Sequence, residues 1–288
     1  MYIGRFAPSP TGPLHFGSLL AALASYLDAK HHQGLWHLRI ENIDPPREKP
    51  LSEHRIPDTL ETLGFEWDGP LVWQSDRDEA YQTALNTLIN QQRVYNCDCS
   101  RKEIQLRSGH TLYDGHCRHR DLPFDTEGAL RLYAPAMTDT WQDRIQGEQP
   151  QVPCEDFVLR RKDGLWSYHL AMVVDDQALG VTDVVRGFDL LPESPKQMAL
   201  MSALGFKHPR YAHIPVATAL NGQKLSKQNL APAIMDEPPV PLLVKALEFL
   251  HQDIDANLHL ASPAEILAWA IPRWDITRLP QRGSQPIA

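Results

Sequence analysis

Residues 2–30 read YIGRFAPSPTGPLHFGSLLAALASYLDAK, a run that divides into three parts. Tyr2–Phe6 is short and largely apolar, which predicts a buried strand. Ser9–Leu14 contains two prolines and a glycine, which predicts a loop. From Gly17 to Lys30, leucine and alanine recur at helical spacing. A strand that passes through a loop into a helix predicts the start of a parallel α/β sheet.

The rest of the chain continues this alternation of strands and helices. The further predicted strands are Trp36–Ile40, Phe157–Arg160, Asp183–Arg186 and Ile214–Ala217. The further predicted helices are Leu51–Leu63, Ala80–Gln92, Pro195–Leu204, Leu242–His251 and Pro263–Ala270. Periodicity is weak from about Tyr95 to Cys154, and this part holds all four cysteines. We therefore predict two halves of an α/β domain (1–94 and 156–230), a metal-bearing insertion (95–155) and a short helical C-terminal part (231–288).

The composition is that of a globular protein and excludes several classes. Apolar residues make up 42% of the 288 positions, charged residues make up 22%, and the net charge is −8. These values exclude disorder, collagen and coiled coil, and they argue against a protein that coats nucleic acid. Four cysteines are too few for a disulfide scaffold in a chain of this length.

No segment predicts a membrane span or an export signal. The longest apolar run, Leu19–Leu27, is far shorter than the roughly 18 residues that a span requires. The first residues lack the basic-then-apolar pattern of a signal peptide. We therefore expect a cytoplasmic protein whose reduced thiols are available to a metal ion.

His15-Phe16-Gly17-Ser18 lies between the first predicted strand and the first predicted helix. The N–H groups and partial positive charge of a helix N-terminus attract phosphate. Gly17 lets the backbone approach a ligand, and His15 can donate a hydrogen bond to a phosphate oxygen. A capped helix after a tight loop, without a ligand, is the alternative. The chain lacks G-x-G-x-x-G and G-x-x-x-x-G-K-[ST], which argues against a dinucleotide enzyme or a P-loop NTPase.

Lys224-Leu225-Ser226-Lys227 is a second candidate for binding phosphate. Lysine meets phosphate as a point charge on a flexible stem. A solvated loop is the alternative, and it is the more common explanation of a pair of lysines.

Together these two segments resemble the HIGH and KMSK signatures of class I aminoacyl-tRNA synthetases. Residues 5–12, RFAPSPTG, resemble the glutamyl branch of that family, and residues 39–44 and 184–187 match further blocks of it. The resemblance runs from Tyr2 to about Asn229 and implies a Rossmann-like catalytic domain that uses ATP with Mg²⁺. The catalytic residues that it implies are His15, Gly17, Lys224 and Lys227, and the ATP-binding residues are these four with Ser18 and Ser226.

Two features resemble one group within that branch, the glutamyl-Q tRNA(Asp) synthetases. They are YDGHC at residues 113–117 and KLSKQN at residues 224–229. Because the chain has 288 residues, 61 follow Lys227, too few for the anticodon-binding region of a glutamyl-tRNA synthetase. The resemblance implies that L-glutamate is activated with ATP and transferred to the queuosine cyclopentenediol at the wobble position of tRNA(Asp). The alternatives are a truncated glutamyl-tRNA synthetase that charges a tRNA 3′ end, and a zinc-stapled RNA-binding protein without catalysis.

The charges of glutamate allow a chemical check. Two carboxylates and one ammonium need two cations and one anion, and arginine is preferred for its planar fork. Arg5, Arg186 and Glu41 supply this set, and each lies in or after a predicted strand, where α/β sheets bind ligands. By resemblance, the amino-acid site consists of Arg5, Ala7, Ser9, Glu41, Tyr168 and Arg186. The chain departs from the family at Asn42, where we expect aspartate, and this leaves the support of Glu41 open.

A cysteine cluster is the candidate metal site, because thiolates suit zinc and a structural zinc site has four ligands. Its members are Cys97, Cys99 and Cys117. The C-x-C spacing is tighter than is usual in zinc fingers, and free thiols are the alternative. Chemistry alone nominates His116 or His119 as the fourth ligand, whereas the family resemblance implies Tyr113 and one structural Zn²⁺. Cys154 is remote in sequence and is expected to be a buried thiol.

Three basic clusters form the expected tRNA surface of this acidic protein. They are residues 101–102, 118–120 and 160–162. A solvated face is the alternative for such runs of charge.

Overall fold

The computed structural model describes residues 1–109, 112–134, 140–150, 155–219 and 233–287. Helices and strands alternate along most of these residues. The helices are α1 (Phe16–His31), α2 (Ser52–Thr62), α3 (Asp78–Asn90), α4 (Arg101–Ser108), α5 (Tyr168–Ala178), α6 (Ser194–Leu204), α7 (Pro239–Phe249) and α8 (Pro263–Ala270). The strands are β1 (Ile3–Phe6), β2 (Leu35–Ile40), β3 (Val72–Trp73), β4 (Val94–Cys97), β5 (Ala129–Leu132), β6 (Trp141–Asp143), β7 (Gly147–Gln149), β8 (Val158–Arg160), β9 (Asp183–Gly187), β10 (Arg210–Ile214), β11 (Val216–Thr218) and β12 (Ser284–Pro286).

Two largely parallel sheets form the centre of the molecule. In the first, β1, β2 and β3 are parallel, and Ile3 lies opposite Leu35. In the second, β9, β10 and β6 are parallel, and β7 pairs with β6 in the antiparallel sense. Thr182, just before β9, donates its N–H to the Ile3 carbonyl oxygen at 2.9 Å. The carboxyl ends of β1, β2 and β9 therefore lie side by side, which is where α/β sheets bind ligands.

The helix α1 is buried between these sheets and the C-terminal part of the chain. Its buried residues include Leu19, Leu23 and Leu27, which share one core with residues of α7 and α8. The strand β12 pairs with β11, so the last described residues return to the catalytic region. The predicted helical C-terminal part thus packs into the main core.

A smaller antiparallel sheet carries the cysteine-rich part. It has the order β4-β5-β8, and β4 ends at Cys97. The predicted boundary at residue 155 cuts across these sheets, because β8 pairs with β5 while β6 and β7 pair into the sheet of β9 and β10. The division of the chain at residues 94, 155 and 230 stays a prediction.

Besides α4 and several short strands that the sequence pattern does not predict, two elements near the cavity differ from the sequence prediction. The predicted strand Ile214–Ala217 is two strands, which meet at Pro215, a residue without the N–H that a continuous ladder needs. The helix α5 was not predicted. Residues 170–176 of α5 are all buried, so the polar face that marks an amphipathic helix is missing. None of the helices among the described residues combines the length and apolar character that crossing a membrane requires.

A buried carboxylate in α1 forms hydrogen bonds with residues near both ends of the chain. Asp28 is 0% exposed and accepts hydrogen bonds from the Tyr2 hydroxyl, from Arg144 at 2.5 and 3.1 Å, and from Trp274 Nε1 at 3.0 Å. Burial alone would raise the pKa of Asp28, but Arg144, Tyr2 and Trp274 outweigh burial and hold the pKa below its ordinary value.

We predict that Arg144→Met lowers the free energy of unfolding by about 3–5 kcal/mol, because it leaves a buried carboxylate without its cation. Denaturant titration of both proteins measures the difference. A carboxyl whose pKa is depressed on folding stabilises the fold above its unfolded pKa, and this contribution is lost as the pH falls through the folded pKa. The difference in the free energy of unfolding between wild type and variant should therefore become smaller as the pH falls below about 4.

Arg278→Met is the matched control, because the Asp253 partner of Arg278 is exposed. Such a surface pair contributes about 0–1 kcal/mol. Equal losses in the two variants would contradict the role given to Asp28.

Candidate active site

The predicted amino-acid and phosphate residues come together on the wall of one cavity of about 510 Å³. It lies beyond the carboxyl ends of β1, β2 and β9. The predicted residues that line it are Arg5, Ala7, Ser9, His15, Gly17, Ser18, Glu41, Tyr168 and Arg186. The remaining predicted ATP-binding residues, Lys224, Ser226 and Lys227, lie outside the described residues.

His15 caps the N-terminus of α1. The N–H of Ser18 donates to His15 Nδ1 at 3.3 Å and to the His15 carbonyl oxygen at 2.9 Å. Because Nδ1 accepts, a neutral imidazole carries its proton on Nε2, and this N–H is the donor that the phosphate prediction requires. Gly17 lies in the first turn, where N–H groups have no partner within the helix.

Beneath the cavity, the fully buried Arg39 of β2 joins three carboxylates. It donates to Asp176 at 2.6 Å and to Glu41 at 3.2 Å, and its Nε lies 3.9 Å from Asp175. Burial alone would lower the pKa of Arg39, but the three carboxylates outweigh burial and raise the pKa. The network therefore fixes the floor of the cavity with charges that neutralise one another.

Arg5 and Glu41 both belong to this network. Arg5 Nε donates to the two carboxylate oxygens of Asp176 at 3.2 and 3.3 Å, so its charge already has a carboxylate partner. Burial raises the pKa of Glu41, although Arg39 and Arg5 act in the opposite direction. An ammonium group in the cavity would favour the ionised form of Glu41.

The hydrogen-bond partners of Arg186 are all neutral groups. They are His213 Nε2 at 2.9 Å, Gln197 Oε1 at 2.9 Å, Ser194 Oγ at 2.8 Å and the Leu190 carbonyl oxygen at 3.2 Å. Arg186 is only 4% exposed, and no carboxylate of the described residues is in direct contact with it. A buried cation without a direct counter-ion is costly. The cavity beside Arg186 therefore favours an anionic ligand.

Tyr168 is the first residue of α5 and forms part of the cavity wall. The Oγ of Ser167 accepts the N–H of Leu170 at 3.3 Å and so caps the helix at this point. Burial raises the pKa of Tyr168, so its phenol is protonated at neutral pH and available as a hydrogen-bond donor.

The Asn42 side chain forms hydrogen bonds with Ser75 and not with Glu41. Its Nδ2 donates to Ser75 Oγ at 2.9 Å, and its Oδ1 accepts the N–H of Ser75 at 3.0 Å. The support of Glu41 comes from Arg39. The departure from the family pattern at Asn42 therefore leaves the hydrogen bond between Arg39 and Glu41 in place.

A second cavity of about 710 Å³ adjoins the first. The two share Ser9, Thr11, Glu41 and Tyr168. The other walls of the second cavity come from the loop after β2, from α4, and from the segment around β8. Ligands in the two cavities would therefore meet at Glu41 and Tyr168.

The predicted metal-binding cysteines form one cluster. The sulfur atoms of Cys97, Cys99 and Cys117 all lie within 4.8 Å of one another. The Tyr113 hydroxyl lies 3.5 Å from Cys97 Sγ and accepts the N–H of Cys117 at 2.8 Å. Neither His116 nor His119 belongs to this group of ligand atoms. Cys154 lies outside the described residues.

Two arginines lie against the cysteine cluster. Arg107 approaches Cys99 Sγ at 3.4 Å, and Arg120 approaches Cys117 Sγ at 3.3 Å. Burial, which is the largest cause, raises the pKa of Cys99 to about 12, although Arg107 acts in the opposite direction. At Cys97, burial would also raise the pKa, but the Tyr113 hydroxyl and Arg131 outweigh burial and hold the pKa of the thiol below its ordinary value. Cys97 is therefore the member of the cluster that most readily forms the thiolate, which is the form of cysteine that binds metal.

The basic clusters are largely occupied by ion pairs within the chain. Arg118 and Asp156 lie 2.7 Å apart, as do Arg120 and Asp98. Arg161 contacts two carboxylates and also lines the second cavity. The tRNA surface at these clusters stays a prediction.

Residues 3–238 match the family model of tRNA synthetases class I (E and Q), catalytic domain. This chain belongs to that family. A protein of Pseudomonas fluorescens named Glutamyl-Q tRNA(Asp) synthetase is 48% identical over 290 residues, which cover 100% of this chain and 96% of the relative. A protein of the same name from Serratia proteamaculans is 47% identical, covering 98% of this chain and 93% of the relative.

Solved structures agree with this synthetase fold. The crystal structure of a glutamate-tRNA synthetase from Elizabethkingia anophelis has a TM-score of 0.83 at 26% identity, covering 100% of this chain and 68% of that one. A glutamate tRNA ligase from Elizabethkingia meningosepticum, in complex with its amino acid, has a TM-score of 0.82 at 26% identity, covering 100% and 67% of the two chains. The predicted Rossmann-like class I catalytic fold is confirmed.

Sequence reasoning missed several buried groups behind the synthetase cavity. Arg39 carries one local signal, because it lies two residues before Glu41 and so faces the same side of β2. Asp176 lies in the helix that was not predicted. Gln197 and His213 contact Arg186 from the next helix and the next strand, 11 and 27 residues later, and carry no local signal.

Proposed function

We propose that this synthetase activates L-glutamate with ATP and transfers the glutamyl group to queuosine in tRNA(Asp). Arg186 carries the proposal, because this buried cation on the cavity wall has no direct counter-ion among the described residues and so matches a substrate carboxylate. The names of the relatives at 48% and 47% identity support the tRNA and the modified base.

Glutamate fits the charges of the first cavity. Arg186 and Arg5 would bind the two carboxylates, and Glu41 would bind the ammonium. Tyr168 lines the same cavity as the two arginines and offers its hydroxyl as a donor. Aspartate carries the same charges but is one methylene shorter, so it would reach one arginine only at the expense of the other.

The first step is an attack by an α-carboxylate oxygen of glutamate on the α-phosphate of ATP. The new bond joins oxygen to phosphorus, the bond between the α- and β-phosphates breaks, and pyrophosphate leaves. The Nε2–H of His15 and the N-terminus of α1, with Gly17 and Ser18, would stabilise the negative charge. We assign Lys224, Ser226 and Lys227 to the departing pyrophosphate. When bound with ATP, Mg²⁺ supplies further positive charge to the phosphates.

In the second step, a hydroxyl of the queuosine cyclopentenediol attacks the carbonyl carbon of glutamyl-AMP. An ester bond forms, the bond between the carboxyl group and AMP breaks, and AMP leaves with the electron pair while the hydroxyl proton passes to its phosphate. The second cavity supports this assignment because it opens onto the first at Glu41 and Tyr168. Bases of a single-stranded anticodon loop can be turned out and bound one at a time.

The donors of the cysteine cluster fit one structural zinc ion. Cys97, Cys99 and Cys117 would supply three thiolates, and the Tyr113 hydroxyl, 3.5 Å from Cys97 Sγ, supports Tyr113 as the fourth ligand. When bound, zinc holds β4 to the segment around Cys117, and the residues Tyr113 and Ile104 beside it line the second cavity. The metal thus supports the acceptor side of the site.

We predict that Arg186→Met lowers kcat/KM for glutamate in ATP–pyrophosphate exchange, because a substrate carboxylate loses its partner. The expected loss of transition-state stabilisation is about 2–5 kcal/mol. The exchange is measured without tRNA, and Arg278→Met is the surface control. Aspartate in place of glutamate should give no exchange above background. Wild-type activity in the variant, or equal rates of exchange with aspartate and with glutamate, would exclude the assignment of this cavity as the glutamate site.

We predict that Cys97→Ser loses one equivalent of zinc and that Cys154→Ser retains it, as measured by metal analysis of the purified proteins. Comparing Tyr113→Phe with His116→Ala identifies the fourth ligand. We expect only Tyr113→Phe to weaken the binding of the metal. Cys97→Ser should impair glutamyl transfer more than pyrophosphate exchange, because the metal borders the second cavity. Zinc-free wild-type protein would overturn the assignment.

We predict that tRNA(Asp) with queuosine accepts labelled glutamate, whereas tRNA(Asp) without queuosine and tRNA(Glu) do not. Nuclease digestion of the product locates the label in the anticodon loop or at the 3′ adenosine. Label on the 3′ adenosine would identify a glutamyl-tRNA synthetase that charges the tRNA end. Equal loading of tRNA that lacks queuosine would exclude the modified base as acceptor.

A further inference from the structure

His213 lies directly behind Arg186, on the side away from the cavity. It is 0% exposed and belongs to β10, the neighbour of the strand that carries Arg186. Its Nε2 lies 2.9 Å from Arg186 Nε, and its Nδ1 lies 2.6 Å from Asp143 Oδ2. The imidazole therefore joins a substrate-facing guanidinium to a buried carboxylate from β6.

The hydrogen bonds fix where the protons lie in this chain of groups. Asp143 Oδ1 accepts the backbone N–H groups of Ile145 at 2.9 Å, Gln146 at 2.8 Å and His213 at 3.2 Å. Burial alone would raise the pKa of Asp143, but His213 and the N–H groups of Gln146 and Ile145 outweigh burial and hold the pKa below its ordinary value, so the carboxylate is ionised. Asp143 therefore accepts the proton of His213 Nδ1. Arginine has no acceptor, so the Arg186 Nε–H donates and His213 Nε2 accepts. His213 is thus neutral and confined to one tautomer, and burial, which is the largest cause, lowers its pKa.

We infer that Asp143 and His213 are positioning residues, which orient the Arg186 guanidinium for the substrate carboxylate; this rests on the proposed function. Asp143 polarises the imidazole, and the imidazole holds the Nε edge of Arg186. The Nη1 and Nη2 groups of Arg186 donate to Gln197 Oε1 and Ser194 Oγ, respectively.

The imidazole also separates Arg186 from a competing carboxylate. A carboxylate in direct contact would satisfy the guanidinium, as Asp176 does for Arg5. A neutral imidazole transmits the influence of Asp143 but leaves the positive charge of Arg186 without a direct anion. The substrate carboxylate can then supply that anion.

Asp143→Asn tests the inference with little change of shape. The oxygen of the introduced amide still accepts the hydrogen bonds of the three backbone N–H groups. The amide nitrogen therefore faces His213 Nδ1 and presents an N–H donor to it. This forces the imidazole proton onto Nε2, where it meets the Arg186 Nε–H. We expect KM for glutamate in pyrophosphate exchange to rise about tenfold or more, equivalent to ~1.4 kcal/mol. We expect KM for ATP to change less than about twofold, or ~0.4 kcal/mol.

The tautomer itself is observable. In ¹⁵N-labelled wild-type protein, NMR should show His213 with its proton on Nδ1, and Asp143→Asn should move the proton to Nε2. An unchanged tautomer together with an unchanged KM for glutamate would overturn the inference.

Asp28→Asn is the matched control for a general loss of stability. Asp28 is equally buried and bonded to an arginine and two other donors, but it does not line the cavity. We expect Asp28→Asn to lower the melting temperature and to leave KM for glutamate unchanged. The same rise in KM in both variants would assign Asp143 a structural role only.

A double-mutant cycle separates the inference from the proposed function. On the Arg186→Met background, Asp143→Asn should add no further rise in KM for glutamate, because the group that it positions is absent. Additive effects would overturn the inference while leaving the pocket in place. Absence of glutamate-dependent exchange in the wild-type protein would instead overturn the proposed function.

A second pair of variants keeps the test informative if Asp143→Asn does not fold. In His213→Gln, the amide can donate to Asp143 and accept from Arg186, so KM for glutamate should stay within about threefold of wild type, or ~0.65 kcal/mol. His213→Leu keeps the volume without either hydrogen bond, and KM should rise about tenfold, or ~1.4 kcal/mol. Wild-type KM in His213→Leu would exclude the positioning role.

Discussion

The contact of Arg39 with Asp176 is the constraint on which the site depends. Removing a guanidinium and a carboxylate from water costs several kcal/mol for each ion and is repaid only when every partner is in place. Arg39 belongs to β2 and Asp176 to α5, so the first sheet and this helix must meet before either charge is satisfied. Once they meet, Asp176 also holds Arg5, and Arg39 holds Glu41. The floor of the cavity is thus determined by an interaction that no substrate touches.

The two arginines of the cavity are supported in opposite ways. Arg5 lies against a carboxylate, so its charge is largely neutralised before a ligand arrives. Arg186 lies among neutral acceptors, and no carboxylate in the described part of the chain contacts it directly. A ligand carboxylate therefore gains more at Arg186 than at Arg5, because electrostatic interactions strengthen where water is excluded. In the proposed glutamate site, this asymmetry would let one end of the amino acid be bound mainly by charge and the other mainly by hydrogen-bond geometry.

Sequence reasoning predicted the parts of the fold and site that depend on local chemistry. The strand, loop and helix of residues 2–31 are marked by apolar periodicity and proline, and polar residues at strand ends meet because parallel strands end at one edge. The supporting groups could not be found in this way. Asp176 is 171 residues from Arg5, and Asp143 is 70 residues from His213. Such pairs are created by the topology of the sheets, and no local period records them.

The segment 95–155 contributes to more than one part of the fold. Its cysteines make it look like a separate metal-stapled unit, yet its strands divide between two sheets. The strand β4 carries Cys97 of the cysteine cluster, and β5 carries Arg131 of the second cavity's wall. In contrast, β6 pairs with β10 and brings Asp143 behind Arg186. One segment therefore supports both cavities from opposite sides. A change near the cysteines should affect the second cavity first, because the contacts of Asp143 with His213 and with the residues after β6 do not pass through the cysteine cluster.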